Sequence, residues 1–193
     1  MTSSLTVIGV DVGCTGLPDA DRLVRELAPS ATVFACTHLI RGGRPRIALS
    51  FALPSAQSGE AGAYDAWRRI TARQETGGAF GDRRHGPADL AAGAAQAAAE
   101  HTARTGGRVV LFPGSAALTG TVTVVELLTA SGVDEVTALG APGPADPGRV
   151  IVTREHVRPE WRAGRLVLTV MPAVGGTLVP FEAPDPTPCC ADH

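Results

Sequence analysis

The sequence has no lysine and no asparagine in its 193 residues. Every basic side chain other than histidine is therefore arginine. Without lysine there is no Schiff-base lysine, no pyridoxal-phosphate attachment and no phosphate-binding lysine of the Walker type. Without asparagine there is no Cys-His-Asn protease arrangement and no N-glycosylation acceptor. A GC-rich genome, which favours Arg, Ala, Gly and Pro codons, accounts for the bias. The exclusions hold whatever its cause. Net charge is also lacking: the formal value is -2. That argues against a nucleic-acid protein or a polybasic membrane binder. No apolar run reaches the ~20 residues of a membrane span. The first residues, Met1 to Leu5, lack a basic region followed by an apolar signal core. The expectation is a soluble cytoplasmic protein.

What is present is enough apolar residue, 44% of the chain, to build a core without staples. A domain of this size buries roughly two-thirds of the surface its unfolded chain exposes. Leu5 to Val12 reads as a buried strand with Asp11 inside it, and Gly13 to Gly16 as a tight loop. A helix is expected from Asp19, as N-cap, to Ala28 before Pro29. Ala31 to Ile40 and Arg46 to Leu53 read as a hairpin around Arg41–Arg44. Pro54 to Ala63 reads as loop, Tyr64 to Gln74 as a short helix, and the Gly- and Arg-rich stretch from Thr76 to Pro87 as a loop that is mobile or ordered only by a ligand or neighbouring subunit. Pro87 to Arg104 is the clearest helix, rich in alanine and suited to close packing.

Arg108 to Phe112 is a strand, and a capping box at Thr123 and Glu126, with Thr121 as an alternative start, opens a helix that runs to about Ser131. Strands are then expected at Glu135–Leu139, Val150–Thr153, Leu166–Met171 and Thr177–Phe181. The order of elements predicts a single α/β domain over 1–183. Its sheet is mixed and partly parallel, flanked by helices, with antiparallel β-hairpins at the C-terminal end. Residues 184–193 form a Pro-rich tail carrying Cys-Cys-x-x-His.

In open α/β sheets ligands collect beyond the carboxyl ends of parallel strands. Two loops lie at such ends, Gly13–Gly16 and Pro113–Thr121, and parallel strands would face both into one crevice. The second offers Gly114, Ser115, Thr119, Gly120 and Thr121 as a cradle for a small anion at a helix start. Ser115 is a candidate nucleophile. Asp11, a carboxylate in an apolar strand, must be partnered or lie at the open end. It is a candidate general base or ligand.

Thiolate and imidazole are preferred zinc ligands, and thiolates suit other thiophilic metals. Cys36 and His38 are two apart on one strand, so they share a face with Phe34 and Ile40. Cys14 shares a face with Ile8, Val10 and Val12. The tail adds Cys189, Cys190 and His193. A metal site is expected from the tail donors together with Cys14, Cys36 or His38, the metal being zinc or another thiophilic transition metal. His101, on the Ala-rich helix, reads as surface, and Trp161 as an interface aromatic. Ala35-Cys36-Thr37-His38 resembles the Cys-Thr-His tripeptide of the aspartate/glutamate racemase family. The second cysteine of that family is absent and the chain is shorter than its duplicated fold, so no family is assigned.

Three functions compete. The first is a small-molecule enzyme, a hydrolase or lyase, whose metal is closed in by the tail and acts as Lewis acid or activates water. The second is a metal-free thiol or redox protein. The third is a non-catalytic homo-oligomer that binds a small anion, with the Ala-rich helix and C-terminal hairpins as its interface.

Overall fold

The computed structural model describes residues 5–73 and 75–183, without the side chains of 56–60. In chain order the elements are β1 (Leu5–Cys14), α1 (Leu17–Leu27), β2 (Phe34–Ile40), β3 (Arg46–Pro54), α2 (Ser55–Thr71), β4 (Gly77–Phe80), β5 (Arg83–His85), α3 (Ala88–Ala103), β6 (Arg108–Leu111), β7 (Thr121–Thr123), α4 (Val124–Ala130), β8 (Glu135–Ala138), β9 (Val150–Val152), β10 (Glu160–Arg162), β11 (Arg165–Pro172) and β12 (Leu178–Pro180). The architecture is α/β, with a mixed, mostly antiparallel sheet, flanking helices and antiparallel strands toward the C-terminal end. Contacts gather the chain into two compact units. Of the described residues, one unit runs to Pro113 and includes Glu160–Arg165; the other comprises Gly114–Pro159 and 166–183.

In the first unit the strands lie in the order β5-β4-β1-β3-β2-β6-β10. Every neighbouring pair is antiparallel. The crossover expected from the β-α-β order is there, because β1 and β2 run in the same sense and α1 joins them. The hairpin partner β3 inserts between the two and pairs with both. The crossover therefore leaves no parallel ladder, as in a split βαβ unit. The same directions correct the shared-crevice expectation: β1 and β6 run in opposite senses, so Cys14 and Leu111 end at opposite edges of the sheet.

Alternation along each strand separates two faces. One face carries Ile8, Val10, Leu49, Phe51 and Val110, packed with Val24 of α1 and Ala66, Trp67 and Ile70 of α2. The other lies under α3. There a Cβ on Gly9 would overlap the carbonyl oxygen of Ala94, so glycine in mid-strand is what lets an all-small helix face sit directly on the backbone. Gly9→Ala is expected to destabilise by about 1–3 kcal/mol, the cost of overpacking a tight contact. Urea midpoints compared at constant slope would measure it. The small-residue face of α3 thus packs on its own sheet.

Three local expectations are corrected. α1 begins at Leu17, with Gly16 as N-cap and Pro18 in the first turn; Asp19 is not the cap but pairs with Arg22 at 2.9 Å. α2 starts at Ser55, where a loop was expected. Its glycines lower intrinsic propensity, but burial of Ala63, Ala66, Trp67 and Ile70 against the sheet outweighs that. Residues 77–85 form the β4–β5 hairpin rather than a mobile loop, because β4 pairs with β1 and is buried throughout.

In the second unit the order is β8-β11-β12-β9-β7. Here β8 with β11 and β12 with β9 are parallel, while β11 with β12 and β7 with β9 are antiparallel. The capping box forms as expected: Thr123 Oγ1 accepts from the Glu126 amide at 3.3 Å, and Glu126 Oε2 accepts from the Thr123 amide at 2.7 Å. Among the described residues no helix is long and apolar enough to cross a membrane.

Candidate functional site

Cys36 and His38 project from β2 on the face under α3, as their parity requires. β3 supplies Ser50, the direct neighbour of Cys36 in the ladder. The last turn of α3 supplies Glu100 and His101. Cys36 and Ser50 are fully buried, and His38 and His101 nearly so. Gly107 closes the rim: a Cβ there would lie 2.6 Å from His38 Cε1, and its φ of 108° is a conformation that favours glycine.

These groups form one hydrogen-bonded chain. His38 Nδ1 lies 2.9 Å from Glu100 Oε2, and His38 Nε2 lies 2.8 Å from Ser50 Oγ. Ser50 Oγ lies 2.7 Å from His101 Nδ1, and His101 Nε2 lies 3.8 Å from Cys36 Sγ. Glu100 is held below the usual carboxylate range, chiefly by the bond from His38. Being ionised it only accepts, so His38 Nδ1 carries a proton and donates to it. Ser50 Oγ bridges His38 Nε2 and His101 Nδ1, and the Cys36 thiol ends the chain at His101 Nε2.

Burial governs the protonation states. Desolvation drives His101 down to about 3, helped by the charges of His38 and Arg104, so its imidazole is neutral near pH 7. Desolvation pushes the Cys36 thiol up to about 12, against smaller lowering contributions from Ser50 and Trp161. The Trp161 indole N–H stops short of a full hydrogen bond and has no other acceptor among the described residues. Trp161 is buried against Phe34, ring centres 5.3 Å apart, with the Arg104 guanidinium 4.6 Å from its own. Its reading as an exposed interface aromatic is corrected: Glu160 and Arg162 beside it are exposed, but alternation along β10 turns the indole inward.

One ligand atom from each of Cys36, His38 and His101 lies within 4.8 Å of the others. That is somewhat wider than a tetrahedral metal shell. The set is chemically apt for a thiophilic metal. Glu100 holding one nitrogen of His38 is the outer-shell arrangement found behind metal-bound histidines. Glu100, His38 and Ser50 also follow the acid–base–hydroxyl order of a hydrolase triad. Ser50, however, sits fully buried in a strand paired on both sides, so no acyl substrate reaches it. A cavity of about 580 Å³ opens beside His38 and Glu100, with Leu17, Leu39, Ile47 and Trp161 among its walls. A smaller cleft of about 170 Å³ reaches His101 and Trp161 from the Phe34 side.

The other expected site residues lie elsewhere. Cys14 is on the opposite face of the sheet, packed against the α1–α2 core, and its thiol donates to the Gly16 carbonyl at 3.3 Å. The sheet separates it from Cys36, so the two cannot join one ligand set. Asp11 is fully buried. Its Oδ2 accepts from Arg46 Nε at 2.7 Å, and its Oδ1 accepts from the Gly13 amide at 2.9 Å. In the second unit Gly114 has φ 78° and Ser115 opens a single tight turn. The Gly120 carbonyl accepts from the Thr153 amide, and Thr121 begins β7. The loop thus runs into a strand, and the helix that follows has its first turn closed by Thr123 and Glu126. Cys189, Cys190 and His193 lie outside the described residues.

His101, Ser50 and Glu100 were not expected. His101 is not a surface residue, because it continues the buried stripe of Ala91, Ala94 and Ala97 along α3. That spacing was the available signal. Ser50 sits between Ala48 and Ala52 in the small-residue parity of β3. No protein-family model, curated protein or solved structure matches the chain.

Proposed function

We propose that the protein is a metal-dependent enzyme whose centre is Cys36, His38 and His101, holding zinc or another thiophilic transition metal. The observation that carries the reading is the convergence of these three donors, with the spare nitrogens of both imidazoles within reach of Glu100 and Ser50 as outer partners. Such a metal, when bound, would act as a Lewis acid or activate water. The residues do the rest. Glu100 fixes the tautomer and orientation of His38, Ser50 fixes His101, and burial keeps His101 neutral and able to ligate. The cavity beside His38 and Glu100 is the place for a substrate. Three protein donors leave one tetrahedral position, to be filled by water, substrate or a tail donor such as Cys189, Cys190 or His193.

Elemental analysis of freshly purified protein is expected to give close to one metal per chain. Cys36→Ser and His101→Ala should each lower this to trace levels. Cobalt-loaded protein should show thiolate-to-cobalt charge-transfer absorption that Cys36→Ser removes. Deleting 185–193 separates a tail donor from water as the fourth ligand. Protein that is folded, metal-free and unable to take up cobalt would overturn the reading.

A second reading has one observation in its favour: the hydrogen-bonded chain from Cys36 to Glu100 satisfies every donor without a metal. The cluster would then be a structural network. The redox version of that reading is disfavoured for Cys36, since a thiol pushed up to about 12 holds almost no thiolate near neutrality.

A further inference from the structure

We propose that the open edge of β2 over His38–Ile40 binds a short extended peptide whose side chains alternate between apolar and basic. β3 pairs with β2 along its whole length, to the Ile40–Arg46 pair. On the other side β6 pairs only with Ala35–Thr37, because it begins at Arg108. Among the described residues no strand covers His38–Ile40 on that side. Donors and acceptors along a strand alternate between its two edges, so this stretch presents unpaired ladder groups. The 580 Å³ cavity lies along it, with Thr37, His38 and Leu39 as one wall. Extended backbone is the complement of such an edge, and the mode is strand addition.

The two sides of the added strand meet different chemistry. On one side are Leu39, 53% exposed, and Leu17, 43% exposed. Natural sheets usually blunt an open edge with charge or proline, and here large apolar side chains stand instead. On the other side is the Glu100 carboxylate. The arginines around the cavity are compensated: Arg46 by Asp11, Arg108 by Asp21 and Arg162 by Glu160. Glu100 has no arginine among the described residues: its carboxylate meets His38 Nδ1 and the Gln96 amide, and its side chain stays 32% exposed to the cavity. Glu100 is therefore the charge that favours a basic side chain on the incoming strand.

This names the substrate class of the proposed metal centre and rests on that reading for the chemistry alone; the binding needs no metal. The probe is fluorescein-labelled Leu-Arg-Leu-Arg-Leu, amidated at its C-terminus and titrated by anisotropy against the full chain, with and without chelator. Saturable binding is expected in both conditions. Leu39→Lys should weaken it at least tenfold. N-methylation of alternate peptide residues on the bonding edge should abolish it, and a Leu-Glu-Leu-Glu-Leu counterpart should bind at least tenfold more weakly. No binding, equal binding of the N-methylated or glutamate peptide, or indifference to Leu39→Lys would each overturn the proposal. Metal content measured on the same samples reports separately on Cys36, His38 and His101.

Discussion

Arg46→Ala is expected to cost about 3–5 kcal/mol of folding stability, the range for breaking a buried ion pair by removing one partner. Asp11 is fully buried and the Arg46 side chain is 9% exposed, with Nε 2.7 Å from Oδ2. Arg46 Nη2 also donates to the Asp89 carbonyl at 2.7 Å, tying β3 to the first turn of α3. Without the guanidinium, Asp11 keeps only the Gly13 amide, and a buried carboxylate with one partner is far from satisfied. The penalty comes mostly from the group left behind, not from the net worth of the pair. The double variant Asp11→Ala with Arg46→Ala should therefore be less damaging than the sum of the two single ones, by a coupling energy of about 1–3 kcal/mol. Urea denaturation of all four proteins supplies the cycle. A loss below about 1 kcal/mol for Arg46→Ala, the value of an exposed pair, would mean that water reaches Asp11 and that the pair does not anchor α3.

The elements that the sequence revealed are those with strong local signals. The β2–β3 hairpin is visible in alternation and turn residues, α4 in its capping box, and α3 in its length and alanine content. What sequence periodicity could not show is where β3 goes. A hairpin partner can pair on either side of β2, and only packing places it between β2 and β1, which turns a parallel crossover into an all-antiparallel unit. Segments 55–63 and 77–80 were hidden for a related reason. Their glycines and small residues have weak propensity, and their structure comes from what they pack on.

The site divides in the same way. Cys36 and His38 were legible because a two-residue step on a strand fixes a common face. Cys14 was grouped with them because parity within β1 does not say which face of the sheet it shares with β2. The β1–β3–β2 register puts it on the other side. His101 was missed because α3 is so uniformly small that it has little contrast between faces, and a histidine at its end looks like a solvated terminus.

Acid should unfold the metal-free protein steeply, and His101 should be a main cause. Its folded value is driven from the usual 6.5 to about 3 by burial. The unfolded chain thus takes up a proton that the folded chain refuses, and stability rises with pH across that window. The contribution is complete above the ordinary histidine value and is lost as pH falls from there toward 3. One proton corresponds to about 1.4 kcal/mol per pH unit, so the whole window amounts to roughly 4–5 kcal/mol. Glu100 acts in the same direction but lower on the scale, since folding favours its carboxylate and that contribution falls away as pH drops below the ordinary glutamate value. The difference between the parent and His101→Gln isolates the histidine: stability measured in urea from pH 7 down to pH 4 should show a slope shallower by about 1 kcal/mol per unit in the variant. Equal slopes would mean that folded His101 carries its proton. With both of its nitrogens donating, His101 could then serve neither as an acceptor in the chain nor as a metal ligand.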